Sequence, residues 1–319
     1  MKCKNCVGSG NVAIIGAGNV GSTAAFTIML DGIANKITLI DINKQKADGE
    51  KLDLCHGMQF TKKLIEIEAG DSFELVCDAE VIVICAGVAQ KKGEKRTDIL
   101  EKNVKVFKQI IPEIKKYNQE AILLVITNPV DILTYITYKL SGFDKYRVFS
   151  SGTVLDTARL RFLLGKHFKV SPKDISAYVL GEHGDTEFVW WSKAEIGGVS
   201  LEKFNGYSKK VLDEIYLRVK NSAEEIISKK GMTNYAIGLV ISKIVRSILL
   251  DQSRVFTVST VLNDYLGADE VCLSIPTIVR RGGIYRQLAI DLNPDEKEQF
   301  KLGSDKIKQF INLAEKFLD

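Results

Sequence analysis

Apolar residues in the first half of the chain fall into short runs, divided by longer stretches where they recur at helical spacing. The runs Asn11–Ile15, Lys36–Ile40, Leu64–Glu68, Glu80–Ala86, Ala121–Thr127 and Tyr146–Ser150 predict strands. The stretches from just after Gly21 to about Leu30, Asn43–Gln59 and Asp98–Tyr117 predict helices. Strands that alternate with helices argue for an α/β fold in which a parallel sheet is covered on both faces. From Gly152 the pattern changes. A long helix over Thr153–Phe168 precedes a strand at Ile175–Leu180, and further strand-like segments lead to helices at Tyr207–Lys229 and Thr233–Leu250. Strands at Arg254–Leu262 and Glu270–Val279, with a turn at Gly282-Gly283, predict an antiparallel meander, and Pro294–Leu318 a closing helix. No repeat or low-complexity linker separates the halves. The expected division, residues 1–150 and 151–319, therefore rests on the change of pattern, with residues 1–10 expected as a loose N-terminal arm.

The first strand runs into Gly16-Ala17-Gly18-Asn19-Val20-Gly21 and then into a helix. In such a turn Gly16 permits the tight bend, Gly18 admits a pyrophosphate to the main chain, and Gly21 allows helix to pack on sheet, while the helix start favours the anion. The second strand ends at Asp41, placed to bond ribose hydroxyls and to repel a 2′-phosphate. Asp41 is otherwise an acidic helix cap after a strand. The whole unit reads as a Rossmann-type doubly wound domain that takes NAD rather than NADP.

Three more stretches fall where ligands of such sheets bind, beyond the carboxyl ends of strands. Gly87-Val88-Ala89-Gln90-Lys91-Lys92-Gly93-Glu94-Lys95-Arg96 is polar and flanked by glycines, either a lid or a solvated loop. Asn128 is held extended by Pro129, which could place its amide at the mouth of the site. His183, between Gly181 and Gly184, is one of only three histidines. A lone histidine on a loop is more often an ordinary surface residue, while His56 reads as a partly covered residue on the face of its helix and His167, near the end of its helix, as one that favours the dipole there. Asp156 and Arg159, three apart on one helix, are in isolation a simple ion pair.

The 319 residues carry a net charge of only +4, and their lysines are scattered, which argues against a nucleic-acid partner and leaves small anions open. No apolar stretch approaches the roughly 20 residues needed to span a bilayer. Met1–Gly10 lacks the apolar centre of a secretory signal, so the expectation is a cytoplasmic protein with reduced thiols. Of six cysteines, Cys85 and Cys272 lie in apolar runs and read as core. Cys3 and Cys6 have no second pair or histidine nearby to complete a zinc site, and no metal is expected.

In their order along the chain, GAGNVG at 16–21, AGVAQKKGEKR at 86–96, TNPVD at 127–131, LDTARLR at 155–161, GEHGDTEF at 181–188 and KGMTNYAIG at 230–238 resemble the family of L-lactate and malate dehydrogenases, its bacterial lactate branch most closely. The resemblance runs from about Asn11 to the C-terminus. It implies a Rossmann domain followed by a mixed α/β substrate domain, NAD as cofactor, a small-molecule substrate and a homotetramer. Gly16, Gly18, Asn19, Val20, Gly21, Asp41, Lys46, Gly87, Thr127 and Asn128 would then contact the cofactor. His183 would be the acid/base, Asp156 the group that fixes its tautomer, Arg159 the grip on a substrate carboxylate, and Arg96 the lid cation over the developing oxyanion. Asn128 would bond the substrate oxygen.

Malate dehydrogenases of this family place an arginine where Gln90 stands, to meet a second carboxylate. A neutral Gln90, with Thr233 in the lactate-type position, implies pyruvate, reduced in fermentation. Another 2-hydroxy acid, malate or 2-hydroxyisocaproate, is the alternative. Many bacterial relatives respond to fructose 1,6-bisphosphate through an arginine and a histidine. Arg161 matches the first, but Ser176 replaces the second, so that activation is not expected.

Overall fold

The computed structural model describes residues 8–88 and 96–318. Cys3, Cys6 and the part of the expected lid that carries Gln90 lie outside the described residues. Of the expected N-terminal arm, Gly8 and Gly10 are tied down, each donating its backbone N–H to Glu80 Oε2 at 3.0 and 3.1 Å.

The first half builds β1 (Asn11–Ile15), α1 (Asn19–Asp31), β2 (Lys36–Ile40), α2 (Lys44–Gly57), β3 (Glu66–Gly70), β4 (Val81–Ile84), α3 (Arg96–Tyr117), β5 (Ile122–Val125), α4 (Val130–Ser141) and β6 (Val148–Ser150). These six strands pair in parallel in the order β6-β5-β4-β1-β2-β3, as the alternating pattern predicts. The second half adds α5 (Val154–Phe168), the short strands β7 (Ile175–Ser176), β8 (Val179–Leu180), β9 (Phe188–Val189), β10 (Glu195–Ile196) and β11 (Val199–Ser200), then α6 (Lys209–Lys230) and α7 (Tyr235–Leu249). The long β12 (Arg254–Leu262), β13 (Val271–Arg280) and β14 (Gly283–Gln287) and the closing α8 (Pro294–Glu315) complete it.

The expected meander forms, with β12 antiparallel to β13 and β13 to β14. It does not stand apart: β12 pairs antiparallel with β6, Ser259 opposite Ser150, so one nine-stranded sheet runs across residue 150. Alternate strand residues feed two cores. Ala13, Ile15, Ile82 and Ile84 join a cluster with Val104 and Phe107 of α3, Leu133 of α4 and Phe300 of α8. Val12, Ile14, Val81 and Val83 meet Ala24 and Ile28 of α1 and Ile241 and Val245 of α7 on the other face. A third core joins α5 and α6 to the short strands through Leu160, Leu164, Ile215 and Val219.

Three local expectations need correction. Between the expected strands at Ala121–Thr127 and Tyr146–Ser150, Val130–Ser141 adds a helix, nine of whose twelve residues are buried. The run Ile175–Leu180 is two strands, because β7 pairs with β10 while β8 pairs with β9. His56 on α2 is exposed rather than partly covered.

Candidate active site

The crevice lies where the strand order reverses, between the carboxyl ends of β1 and β4. Gly16 takes φ +98°, and a Cβ there would stand 2.7 Å from the Ala86 nitrogen, so only glycine lets the turn after β1 sit against the end of β4. A Cβ at Gly21 would be 1.9 Å from the Gly16 carbonyl oxygen. At Gly18, by contrast, a Cβ would meet nothing within 4 Å, so open space lies where a pyrophosphate must approach the backbone. Helix α1 has neither a side-chain cap nor an acidic residue in its first turn, which leaves its amide end free for an anion. Asn19 and Val20 form that turn.

Asp41 Oδ2 accepts the Ala17 N–H at 2.7 Å and Oδ1 accepts that of Asn43 at 2.9 Å, which bridges the glycine turn to the end of β2. Asn43, not Asp41, caps α2, by accepting the Lys46 N–H at 3.1 Å. The helix-cap reading of Asp41 therefore falls, and each of its oxygens retains a lone pair for a ribose hydroxyl. Lys46 is exposed on the first turn of α2. These residues fit an adenine dinucleotide without a 2′-phosphate.

Beyond β5, the Thr127 hydroxyl donates to the Ala86 carbonyl at 2.8 Å, tying β5 to the end of β4, and Asn128 precedes a cis peptide bond to Pro129. Gly87 lies against Thr127, where a Cβ would be 2.3 Å from its methyl. The fully buried Asn103 of α3 holds this corner together. Its Oδ1 accepts the Val88 N–H at 2.7 Å, and its Nδ2 donates to the Asn128 carbonyl at 2.8 Å and to that of Val88 at 3.3 Å. The root of the expected lid is thus clamped to the site mouth. Arg96 opens α3 on the far side of that segment.

The second half brings His183, Asp156 and Arg159 together. Helix α5 is pinned at its start to β8: the Thr153 hydroxyl donates to the Val179 carbonyl at 2.6 Å, and the Thr157 hydroxyl accepts the Val179 N–H at 3.0 Å. Gly181 exchanges backbone bonds with Ser274 at 2.9 and 2.8 Å. Glu182 accepts the Thr186 N–H and the Lys306 ammonium of α8, which closes the loop that carries His183. As a result His183 Nδ1 meets Asp156 Oδ2 at 2.7 Å, while Asp156 Oδ1 accepts from Arg159 Nη1 at 2.9 Å. Because a carboxylate only accepts, Nδ1 carries the proton in this pair, and Nε2 lies outside it.

The charges are set by these contacts. Burial alone would raise Asp156, but His183 and Arg159 hold its carboxyl below the usual range. Burial alone would lower His183, but the Asp156 carboxylate, aided by Asp131 and Glu187, pushes it up to about 9. The imidazole is therefore protonated near neutral pH.

Besides Asn103, two residues that the sequence does not reveal stand here. Asp131 of α4, 2 % exposed, accepts the His183 backbone N–H at 2.7 Å, and burial pushes it up to about 6. Glu187, 6 % exposed, has its Oε1 buried without a partner. Asp156, His183 and Glu187 each bring one ligand-type atom to within 4.8 Å of the others, but Asp156 is already committed to the imidazole and to Arg159.

Thr233 is half-buried on the link between α6 and α7, and the next residue, Asn234, donates to the Thr23 hydroxyl of α1 at 2.9 Å. Arg161 is engaged within the chain, its Nε donating to the Ala177 carbonyl at 3.0 Å and its guanidinium stacked 4.6 Å from the centre of the Tyr178 ring. Ser176 is exposed on β7. His167 bonds the Gly206 carbonyl at 2.9 Å, a structural link between the end of α5 and the loop before α6. Cys272 is fully buried, as expected, and Cys85 partly so.

A dinucleotide cradle in the first half of the chain, with a protonated histidine, an arginine and their shared carboxylate in the second, defines an NAD-dependent oxidoreductase. The chain belongs to the lactate/malate dehydrogenase family: residues 10–150 match the model of the family's NAD binding domain and residues 153–318 that of its alpha/beta C-terminal domain. It is 44% identical over 308 residues to an L-lactate dehydrogenase of Clostridium botulinum, covering 95% of this chain and 96% of that one. To an L-lactate dehydrogenase of Acetivibrio thermocellus it is 47% identical over 309 residues, 95% and 97% of the two chains. Among solved structures, a lactate dehydrogenase enzyme from a Medee basin deep-sea metagenome library superposes with a TM-score of 0.93 at 34% identity, over 96% of this chain and 99% of that one. The minor L-lactate dehydrogenase of Enterococcus mundtii gives 0.92 at 35%, over 96% and 98%.

Proposed function

We propose that the protein catalyses the reversible NADH-dependent reduction of pyruvate to L-lactate. The observation that carries this reading is the His183–Asp156–Arg159 chain of contacts, which puts a proton donor beside a cation for a carboxylate. The bound nicotinamide supplies the hydride. Arg159 receives the substrate carboxylate on the guanidinium edge that Asp156 leaves free, His183 Nε2 gives its proton to the carbonyl oxygen, and Asp156 stabilises the imidazolium before transfer. Arg96 and Asn128 polarise that oxygen from the lid and the site mouth. Pyruvate over a second-carboxylate substrate is supported by the neutral Gln90 and by Thr233.

The reading includes a division of labour near residue 150, with residues 1–150 holding the cofactor and 151–319 the substrate. It also includes a cytoplasmic, fermentative role in which pyruvate reduction returns NADH to NAD. Among the described residues no helix is long and apolar enough to cross a membrane. A homotetramer is supported by the apolar side chains exposed on neighbouring helices, Phe26 of α1, Leu52 of α2 and Leu239 of α7.

Steady-state kinetics with pyruvate and oxaloacetate test the proposal. The native chain is expected to favour pyruvate in kcat/KM, and Gln90→Arg to move that ratio toward oxaloacetate by about tenfold or more, since an unpaired guanidinium disfavours a methyl group. A native preference for oxaloacetate contradicts the lactate assignment. Fructose 1,6-bisphosphate is expected to change the KM for pyruvate by less than about twofold, because Arg161 is bonded within its own subunit and Ser176 offers no cation. A sigmoidal pyruvate curve that the bisphosphate makes hyperbolic contradicts this.

A further inference from the structure

We propose that Glu187 is a positioning residue of the reaction: its carboxyl, set behind the His183–Asp156 couple, governs how tightly His183 holds the proton it donates. The inference rests on the assignment of His183 as proton donor. It starts from an anomaly of placement. Glu187 follows the His183 loop directly and leads into β9, yet its side chain does not turn to solvent: the residue is 6 % exposed and Oε1 is buried without a partner. A carboxylate in that state is costly unless a cation answers it or a proton neutralises it.

The groups facing Glu187 come from three elements. Asp156 and Arg159 reach it from α5, Lys220 and Tyr216 from α6, and His183 from its own loop. The Tyr216 hydroxyl donates to the Glu187 backbone carbonyl, which fixes the main chain there, and one carboxyl oxygen of Glu187 lies within 4.8 Å of a ligand-type atom of His183 and of Asp156. Lys220 is spent in part on the Asp185 carbonyl, at 2.7 Å. His183 itself is faced by Asp156, Asp131 and Glu187.

Burial, and then the Asp156 charge, push Glu187 up to about 8, while His183 and the cations pull it down. Near neutral pH Glu187 is therefore largely protonated, and it ionises in the same alkaline range in which His183 loses its proton. The negative charge that appears strengthens the imidazolium just as alkaline conditions begin to strip it, so the two groups titrate as a pair. The range of pH over which the enzyme can donate a proton is thereby extended upward.

The test is the pH profile of kcat/KM for pyruvate in the native enzyme and in Glu187→Gln, whose amide matches the uncharged acid in shape and cannot ionise. The alkaline limb is expected to fall at lower pH in the variant, by roughly half a pH unit or more, the scale on which a nearby charge acts in a buried site. Glu187→Asp, which keeps the carboxyl but withdraws it by one methylene, is expected to shift the limb the same way by less. A limb left in place in both variants overturns the proposal, whatever happens to kcat.

Thermal melting gives a second readout. A carboxyl raised from 4.5 to about 8 in the folded state stabilises the fold less and less as pH rises through that interval. The melting-temperature advantage of Glu187→Gln over the native chain should accordingly grow from about pH 5 to about pH 8, and a constant difference overturns the assignment. If the native enzyme shows an alkaline limb that Glu187→Gln leaves unmoved, only the role of Glu187 falls. If it shows no His183-dependent turnover of pyruvate, the parent reading falls with it.

Discussion

His183→Asn is expected to lower kcat for pyruvate by about a thousandfold while NADH binding, followed by fluorescence, stays within about twofold of the native value. The size of the loss comes from what the imidazole alone does here. Asparagine can still donate to Asp156 from its amide, so the buried carboxylate keeps a partner and the loop keeps its backbone bond to Asp131. What disappears is a group that is protonated near neutral pH and can give that proton up. Removing a positioned acid typically costs a factor of 10²–10⁴, about 3–5 kcal/mol of transition-state stabilisation. The cofactor should be unaffected, because the partners of His183 lie on α4 and α5 while the cradle is built by β1, α1 and the end of β2. Turnover above about a tenth of native contradicts the role of His183, and loss of NADH binding alongside turnover means that the substitution disturbs more than the proton donor.

The reach of the sequence differs from residue to residue. Gly16, Gly21 and Asp41 were legible because their work is done by the backbone and by neighbours close in the chain, so spacing alone carries it. Thr127, Asn128 and Gly87 could be placed at the same edge once the strands were placed. His183 could be singled out, being rare and flanked by glycines, but its partner 27 positions earlier could not be read from spacing. It came only with the resemblance, as did Gln90.

Asn103, Asp131 and Glu187 were hidden for a different reason. Each is a polar residue of the kind that normally faces water, and only the fold shows that it faces inward. Asn103 lies in α3, where a polar residue reads as part of the wet face, yet it is fully buried and clamps two loops. Asp131 was hidden along with its helix. Val130–Ser141 is rich in β-branched and aromatic residues, which favour helix only weakly, so propensity gives it little weight and tertiary packing decides. The break in Ile175–Leu180 was invisible because an apolar run does not say which strands its two ends will pair with. That break is what turns the chain from one small sheet to another and carries it into the His183 loop.

Arg159→Lys is the second change expected to have a large effect, and it separates charge from geometry. Lysine keeps the positive charge beside Asp156, so the carboxylate stays ionised and His183 keeps the neighbour that raises it. The alkaline limb of the pH profile should therefore remain near its native position. What lysine cannot reproduce is the planar fork. In the native side chain Nη1 is bound to Asp156 at 2.9 Å, and the guanidinium still has donors left for a carboxylate in the same plane. An ammonium that satisfies Asp156 has no fixed pair of donors to offer the substrate.

The site is only slightly open here, with the Arg159 side chain 14% exposed and that of Asp156 4%, so a substrate carboxylate that enters gives up its water and depends on those donors. Loss of one partner from such a charge-assisted pair costs about 2–5 kcal/mol, which puts the expected fall in kcat/KM at roughly 10²–10³, with most of it in KM. An unchanged KM would mean that the carboxylate is held elsewhere. A fall in kcat/KM accompanied by a displaced alkaline limb would mean that Arg159 acts mainly through Asp156 and His183, as an electrostatic support and not as the substrate's anchor.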